Sequence, residues 1–282
     1  IYAAVIITGF LPETPLVFIV STMIFTSAVA AYLGIEVIGR MADILFPFFI
    51  ITVLLTIFLP LPLADPGNLQ PVLARGWAPV IRGALNPIGN IVQLSLLAFF
   101  TPSLVRPRRS IPWILGALVA STLLGAASVA VVVMIKGPSE GARAAYPLLS
   151  MVRAVRISPF LERAEALTIF AWGLAVFISL AAYIFAGARG MAQFFKVANY
   201  RPLIPPMALI WVALSVHMLD DIFQLRALME YRVMGLYGLS LMVVPLALLW
   251  AAYGLRSLLG RLGLPGGLPD LSGADGEGEE KS

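Results

Sequence analysis

The sequence predicts an all-α polytopic transmembrane helix bundle, and three observations support this fold class. Of the 282 residues, 60% are apolar and only 12% are charged, whereas a soluble domain is roughly 25% charged. The mean hydropathy is +0.94. Apolar runs of about 20 residues, the length that crosses a hydrocarbon core, follow one another so closely that a soluble domain has no room.

Each apolar run is predicted to form one helix. Seven runs reach or approach the spanning length: Leu16–Ile35, Ile44–Ala64, Ala84–Val105, Ile111–Ile135, Leu167–Ala188, Leu203–Leu219 and Val233–Leu255. An eighth, shorter run covers Ile1–Leu11 and is not preceded by the charged segment of a signal peptide. We therefore expect the chain to begin inside a longer helix and to lack its N-terminal part.

The connections between the runs indicate an orientation. Lys and Arg are dense in the short connections Gly34–Asp43, Arg106–Ser110 and Arg189–Pro202, and Arg256 and Arg261 follow the last run. The opposite side has as many basic residues, but in longer segments. Because basic residues concentrate in short cytoplasmic loops, the first side is predicted to be cytoplasmic.

Two longer segments are predicted to lie outside the bilayer. Lys136–Ala166 has apolar residues at helical spacing, which is typical of an amphipathic helix on the membrane surface. The tail at 265–282 is acidic, rich in glycine and poor in large apolar residues, which predicts a disordered cytoplasmic segment. The expected organisation is a transmembrane domain at 1–264 followed by this tail.

The run Arg82–Phe100 contains the strongest functional signal, the sequence "NPIGN". Pro87 removes a backbone donor and Gly89 loosens a helix, while Asn86 and Asn90 add amides that lipid does not satisfy. Unwound backbone at membrane depth is tolerated where it lines a cavity or is buried in protein. The functional interpretation is a broken helix that binds a zwitterion, and the alternative is a packing kink.

Other polar positions each allow a functional and an ordinary interpretation. Ser179 and Tyr183 lie four apart in one apolar run, two turns beyond Trp172, and either bind a ligand or join helices. Glu36 and Arg40 form either a gate or an ion pair at a helix end. A further cluster is either a proton relay or an interfacial group, and it consists of His217, Asp220 and Asp221.

Several classes of protein do not fit the residues present. The chain has no cysteine, so it lacks a thiolate nucleophile and a Cys-ligated metal. The sequence also contains no H-E-x-x-H, Walker A or G-x-S-x-G motif. An intramembrane protease, an ATP-driven pump and a haem protein are therefore excluded, and we expect no enzyme activity, no cofactor and no metal.

A set of short segments in one order resembles a known family. "LPETP", "AAYLGIEVIGRMADILFPF", "NLQPVLARGWAPVIRGALNPIGN", "AYPLLSMVRAV" and "FLERAEALTIFAW" occur with the spacing found in the bacterial spore germination B-subunit family. These are the Ger permeases, the integral-membrane subunits of endospore germinant receptors. The resemblance extends from Leu11 to Arg201.

The resemblance implies a ten-helix, LeuT-like inverted-repeat fold of the amino acid–polyamine–organocation transporter superfamily. The chain would then hold the third to tenth helices, with Tyr2 on the third, "NPIGN" on a broken sixth, and Ser179 and Tyr183 on the eighth. The family also implies a larger A subunit and a lipoprotein C subunit as partners in the spore inner membrane. Many relatives have a P-F-G-E-like segment at the break, where this chain has Asn90 instead of the carboxylate.

The expected function is a nutrient-binding subunit of a germinant receptor. A small nutrient, most readily an amino acid, would bind at mid-membrane and trigger germination. The expected ligand-binding residues are Asn86, Pro87, Gly89, Asn90, Ser179, Tyr183 and Tyr2. An active amino acid transporter is the first alternative, and a membrane scaffold that binds no ligand is the second.

Overall fold

The computed structural model describes residues 2–73, 76–104, 107–144, 146–154, 164–217 and 236–261. Within these ranges the regular structure is helical throughout, as the composition predicts, and strands are absent. Ten α-helices are described: α1 (Tyr2–Gly9), α2 (Leu16–Leu33), α3 (Ile35–Phe58), α4 (Trp77–Asn90), α5 (Leu97–Phe100), α6 (Pro107–Arg143), α7 (Pro147–Ala154), α8 (Ala164–Phe194), α9 (Ile204–His217) and α10 (Leu236–Arg261).

Five described helices are long and apolar enough to cross a membrane. They cover Leu16–Leu33, Ile35–Leu63, Arg109–Arg143, Glu165–Phe194 and Leu236–Leu258. The predicted span Ala84–Val105 is not one continuous helix, because short α and 3-10 pieces replace each other along it. The predicted span Leu203–Leu219 is represented by the 14-residue α9, beyond which residues 218–235 are outside the described ranges.

The junction between α2 and α3 differs from the sequence-based expectation. Gly34–Asp43 was expected to be a connection, but α3 starts at Ile35 and Gly34 alone separates the two helices. Gly34 has φ 108° and ψ 176°, a combination that is essentially restricted to glycine. The charges of this segment lie on the first turns of a helix, where i,i+4 spacing suits them.

Lys136–Ala166 also differs from its expected form as a single surface helix. α6 continues through Lys136 to Arg143, with a kink at Gly137 where φ is 72° and ψ is 162°. The eight-residue helix α7 then follows at Pro147–Ala154. Residues 155–163 are outside the described ranges, as is the predicted disordered tail at 265–282.

The described residues form two compact units. The first contains the described residues within 2–77 and 96–217, and the second contains those within 78–95 and 236–261. The core of the first unit lies where α2, α8 and α9 pack together, with small buried residues that include Ala31, Ala188 and Ala208. Small side chains let membrane helices approach closely. The second unit includes most of α4 and all of α10.

A polar contact also links two connections of the first unit. The Asn68 side chain donates to the Met134 carbonyl at 2.8 Å, and the Asp65 backbone N–H donates to the same carbonyl at 3.1 Å. The end of α3 and the last part of α6 therefore lie at the same level. Met134 is 27 residues after Pro107, about 40 Å along a helix, so the two helices end on the same side of a membrane they cross.

Candidate functional site

The backbone around "NPIGN" changes helix type directly after the motif. α4 is α-helical through Asn90, a 3-10 helix covers Ile91–Leu96, and a second 3-10 segment at Thr101–Ser103 follows α5. The expected unwinding was at Pro87–Asn90, whereas the structure continues the α-helix across Pro87 and changes at Ile91. Proline fixes φ near the helical value, so α-helical backbone at Pro87 is sterically allowed.

The 3-10 segment is relevant to function because its backbone hydrogen bonds are weaker than those of an α-helix. A 3-10 helix bonds i to i+3 with poorer geometry than an α-helix, and a stretch inside a longer helix often marks a functional position. In general, such a transition pairs backbone groups less well than a continuous α-helix does. Asn86, Pro87, Gly89 and Asn90 lie within the last five residues of α4, immediately before this transition.

Tyr2, expected to contribute to the site, packs against α8 in the first unit. Its ring meets the Trp172 ring edge-on, with the centroids 5.5 Å apart and the planes at 88°. The next residue is Gly173, where a Cβ atom would lie 2.3 Å from the Tyr2 hydroxyl oxygen and 2.8 Å from Cζ. No local sequence pattern indicates that Gly173 matters, because its role depends on a contact with a residue 171 positions away.

Ser179 and Tyr183 lie further along α8. Ser179 is exposed, while Tyr183 is half-buried beside the core residues Ile184 and Phe185. At 1.5 Å per residue, Ser179 is about 9 Å and Tyr183 about 15 Å beyond Gly173 along the helix axis. The structure thus brings Tyr2 to Trp172 and Gly173, and leaves Ser179 and Tyr183 one to three turns away.

A polar cluster holds α1 in place beside the start of α8. The Arg153 guanidinium pairs with the Glu165 carboxylate and also lies over the Phe10 ring, 5.7 Å from its centroid. Arg153 is on α7 and Phe10 directly follows α1, so one side chain joins α1, α7 and α8. With Phe10 near Glu165 and Tyr2 near Trp172, α1 runs antiparallel to the first two turns of α8.

The remaining polar candidates are at exposed positions or lie outside the described residues. Arg40 and Glu36 are 2.6 Å apart with 76% and 74% of their side chains exposed, which favours the ion pair over a gate. His217 is exposed at the end of α9, and Asp220 and Asp221 are outside the described ranges. Where the structure describes the chain, no three His, Asp or Glu side chains are grouped to hold a metal.

Comparison with known proteins adds an independent line of evidence. The model of a family described as "Spore germination protein" matches residues 1–221. The chain is similar to spore germination protein KB of Bacillus subtilis (strain 168), with 28% identity over 212 residues, covering 72% of this chain and 56% of the relative. It is also similar to spore germination protein XB of Bacillus anthracis, with 27% identity over 177 residues, covering 62% and 49%.

A third similar protein is also a spore germination protein. Spore germination protein YndE of Bacillus subtilis (strain 168) is 23% identical over 194 residues, covering 68% of this chain and 53% of the relative. The chain therefore spans about half the length of these curated relatives. No solved structure matches it.

Proposed function

This chain belongs to the spore germination protein family, and from that premise we propose that it is the integral-membrane, nutrient-binding subunit of a spore germinant receptor. The family membership and the five helices of spanning length make it a membrane protein. The names of its relatives KB and XB connect the family to spore germination. The proposal adds a bound nutrient and a receptor complex to these facts.

The proposed ligand is a small nutrient, with an amino acid as the best fit. It binds at mid-membrane against the backbone around Asn86, Pro87, Gly89 and Asn90. A helix end offers N–H groups to a carboxylate and carbonyl groups to an ammonium, and a zwitterion carries both charges. By the family resemblance, Asn90 stands where many relatives have a carboxylate, so the proposal has an amide rather than an ionised group hold the ligand.

The other proposed binding residues are on the first unit. Ser179 and Tyr183 offer hydroxyl groups on one stripe of α8, and Tyr2 packs against Trp172 on the same helix. Ligand binding biases the helix bundle toward one conformation. This conformational change passes the binding signal to the other subunits. The proposed partners are a larger A subunit and a lipoprotein C subunit in the spore inner membrane.

One observation supports the site more than any other. The change from α-helix to 3-10 helix at Ile91 follows "NPIGN" directly, in an apolar segment of membrane-spanning length. A packing kink would need one proline or one glycine, whereas this segment combines both with two amides and a change of helix type. Irregular backbone at membrane depth is typical of transporter-like binding sites.

The test is spore germination with single substitutions in the full-length protein. Gly89→Leu and Tyr183→Ala are each expected to raise the half-maximal nutrient concentration at least about tenfold, equivalent to 1.4 kcal/mol of binding. The matched controls are Gly254→Leu and Tyr253→Ala on α10, where a Cβ at Gly254 meets nothing within 4 Å and Tyr253 is exposed. Normal dose–response curves for both site variants, at normal protein levels, would contradict the site.

Two further measurements separate this function from the alternatives. Substrate uptake by reconstituted vesicles that lack partner subunits would indicate an active amino acid transporter. An assembled receptor without saturable nutrient binding would indicate a scaffold. A receptor subunit is expected to show saturable binding in the complex and no sustained uptake alone.

A further inference from the structure

The last two turns of α8 and the segment that follows them carry three basic residues and no acidic one. The three are Arg189, Lys196 and Arg201, and the sequence has no Asp or Glu from 166 to 219. Lys196 and Arg201 are exposed, and Arg189 is partly exposed. Among the described residues, the ion pairs do not include any of the three. The proposed nutrient site does not use them either.

Aromatic rings hold both arginines at one end of the first unit. The Arg189 guanidinium lies over the Phe185 ring, 5.9 Å from its centroid. The Arg201 guanidinium lies over the Tyr32 ring at 5.7 Å. The Phe185 ring also meets the Tyr200 ring edge-on, with the centroids 5.3 Å apart. Because aromatic faces attract cations, both charges have defined positions where the end of α2, the end of α8 and the start of α9 meet.

Arg189 is at membrane depth. The candidate span of α8 is Glu165–Phe194, so Arg189 lies about 7.5 Å along the helix axis before the end of the span. Its guanidinium reaches back a further turn, to the Phe185 ring. An arginine inside a span is costly without a partner, and such residues mark ligand or ion sites. The ring attracts the cation but has no net charge, so an anionic group would stabilise Arg189 further.

Lys196 has a backbone conformation that lysine rarely adopts. Its φ is 56°, and it ends α8 in a motif in which the Val197 N–H donates to the Ala192 carbonyl at 2.8 Å. This type of helix end usually has glycine at the left-handed position, because a Cβ atom is unfavourable there. A lysine at a position that suits glycine better indicates that its charge has a function.

Two exposed aromatic side chains lie next to these cations in the chain. Phe194 and Phe195 are 81% and 61% exposed, and their rings meet edge-on with the centroids 5.1 Å apart. They are at the end of the candidate span, where the hydrocarbon core gives way to lipid headgroups. Basic residues beside aromatic ones at this level are typical of surfaces that bind anionic lipids. A soluble anion would gain nothing from the two rings, so the combination favours a lipid.

We infer that this end of α8 is a binding site for the headgroup of an anionic phospholipid. Arg189 and Arg201 donate to the phosphate oxygens, which guanidinium groups match in geometry, and Lys196 adds a third positive charge. Phe194 and Phe195 contact the acyl chains next to the headgroup. The ligand and the residues differ from those of the proposed nutrient site, so the inference does not depend on the proposed function.

Lipid titration followed by native mass spectrometry of the full chain in detergent tests the ligand class. The probes are dioleoylphosphatidylglycerol and dioleoylphosphatidylcholine, which have the same acyl chains but differ in headgroup charge. We expect saturable binding of phosphatidylglycerol, at least about tenfold tighter than that of phosphatidylcholine, as for two or more basic contacts. Equal affinity for the two lipids would overturn the inference.

A wash with inorganic phosphate distinguishes a lipid from a soluble anion. The full chain is loaded with phosphatidylglycerol and washed in detergent with millimolar inorganic phosphate or with sodium chloride of equal ionic strength. We expect the same amount of lipid to remain after both washes. Loss of the lipid in the phosphate wash alone would assign the site to a free anion and would refute the lipid.

Substitutions of the two arginines test the phosphate contacts. Arg189→Gln and Arg201→Gln are each expected to weaken phosphatidylglycerol binding about 3- to 10-fold and to leave phosphatidylcholine binding unchanged. The matched control is Arg40→Gln, which removes one positive charge from an arginine at the start of α3 that is paired with Glu36. An effect of Arg40→Gln as large as that of the other two would show that overall surface charge is responsible, and would refute the site.

Lys196→Gly separates a lipid-binding role from a structural one. Glycine suits the left-handed conformation, so the unfolding temperature without added lipid is expected to equal or exceed that of the unmodified chain. Phosphatidylglycerol binding should nevertheless weaken about 3- to 10-fold, because one positive charge is lost. A stable Lys196→Gly variant with unchanged phosphatidylglycerol affinity would contradict the site.

Discussion

Gly173 and Gly187 are two α8 glycines that are crowded for different reasons. A Cβ at Gly173 would lie 2.3 Å from the Tyr2 hydroxyl oxygen, on a rigid ring that packs against Trp172. A Cβ at Gly187 would lie 2.8 Å from the Met207 terminal methyl group. A methionine end rotates easily, whereas the Tyr2 ring moves only as a whole. The same substitution should therefore have unequal costs.

We expect Gly173→Ala to destabilise the protein by about 1–3 kcal/mol, the usual range for overpacking, and Gly187→Ala to cost less. Thermal unfolding in detergent measures both. In a Tyr2→Ala background the cost of Gly173→Ala should largely disappear, because the clashing ring is gone. An equal cost with and without the Tyr2 side chain would show that the contact is not responsible.

Ser27 joins two helices of the core through one hydrogen bond. It is 0% exposed, and its hydroxyl donates to the Phe177 carbonyl at 3.2 Å. Ser27→Ala is expected to cost about 0.6 kcal/mol, the average for such bonds between membrane helices. Ser21→Ala is the control, because Ser21 bonds within its own helix to Phe18. A loss for Ser21→Ala as large as that for Ser27→Ala would contradict this assignment.

At the scale of elements, the sequence predicts apolar helices well and their ends less well. Hydropathy identifies the five long helices, because burial in lipid requires continuous apolar residues. It places the start of α3 nine residues late, since Glu36, Arg40 and Asp43 resemble a loop when only polarity is considered. Their helical spacing is the signal that corrects this, and the one-residue turn at Gly34 has no polar signature.

The irregular backbone at the candidate site could be predicted, because its residues are close together on one helix. The density of Pro, Gly and Asn at 86–90 indicates an irregular helix, and the structure has the 3-10 segment one residue later. The Tyr2 contact with Gly173, and the hydrogen bond between Thr56 and Thr168, join residues far apart in the chain. Such groupings depend on tertiary packing, which no local pattern encodes.

The Glu36–Arg40 pair allows a prediction at the scale of α3. Both side chains are mostly exposed, and exposed i,i+4 pairs contribute about 0.3–0.5 kcal/mol. Glu36→Gln is therefore expected to lower the unfolding free energy by no more than that, with germination unchanged. A large loss of nutrient response at normal protein levels would instead favour the gate.

At the scale of the whole molecule, the path of the chain constrains the irregular segment. α3 and α6 end on the same side, because Asp65 and Asn68 bond to Met134. If both helices cross the membrane, the chain between them must cross back. The described segment that does so is the one made of α4, the 3-10 helices and α5. On that condition, the irregular segment is a membrane crossing even though it lacks a continuous span.

This path predicts the sides of two exposed glutamines. Gln70 follows α3 and Gln193 is near the end of α8, so they should be on opposite sides of the membrane. The chain has no cysteine, and single variants Gln70→Cys and Gln193→Cys therefore carry one label each. A membrane-impermeant maleimide on oriented vesicles should label only one of them, with Gln70 external by the basic-residue density. Labelling of both from one side would refute the topology.

Gly34 is the only residue between the two long helices α2 and α3. Two residue steps extend to about 7 Å at most, so the end of α2 and the start of α3 cannot separate further. Only rotations about the Gly34 bonds can change their relation, and its φ of 108° excludes other residues without strain. A displacement of the end of α2 therefore moves the start of α3 with it. A single inserted residue would add about 3.5 Å of reach between the two helix ends.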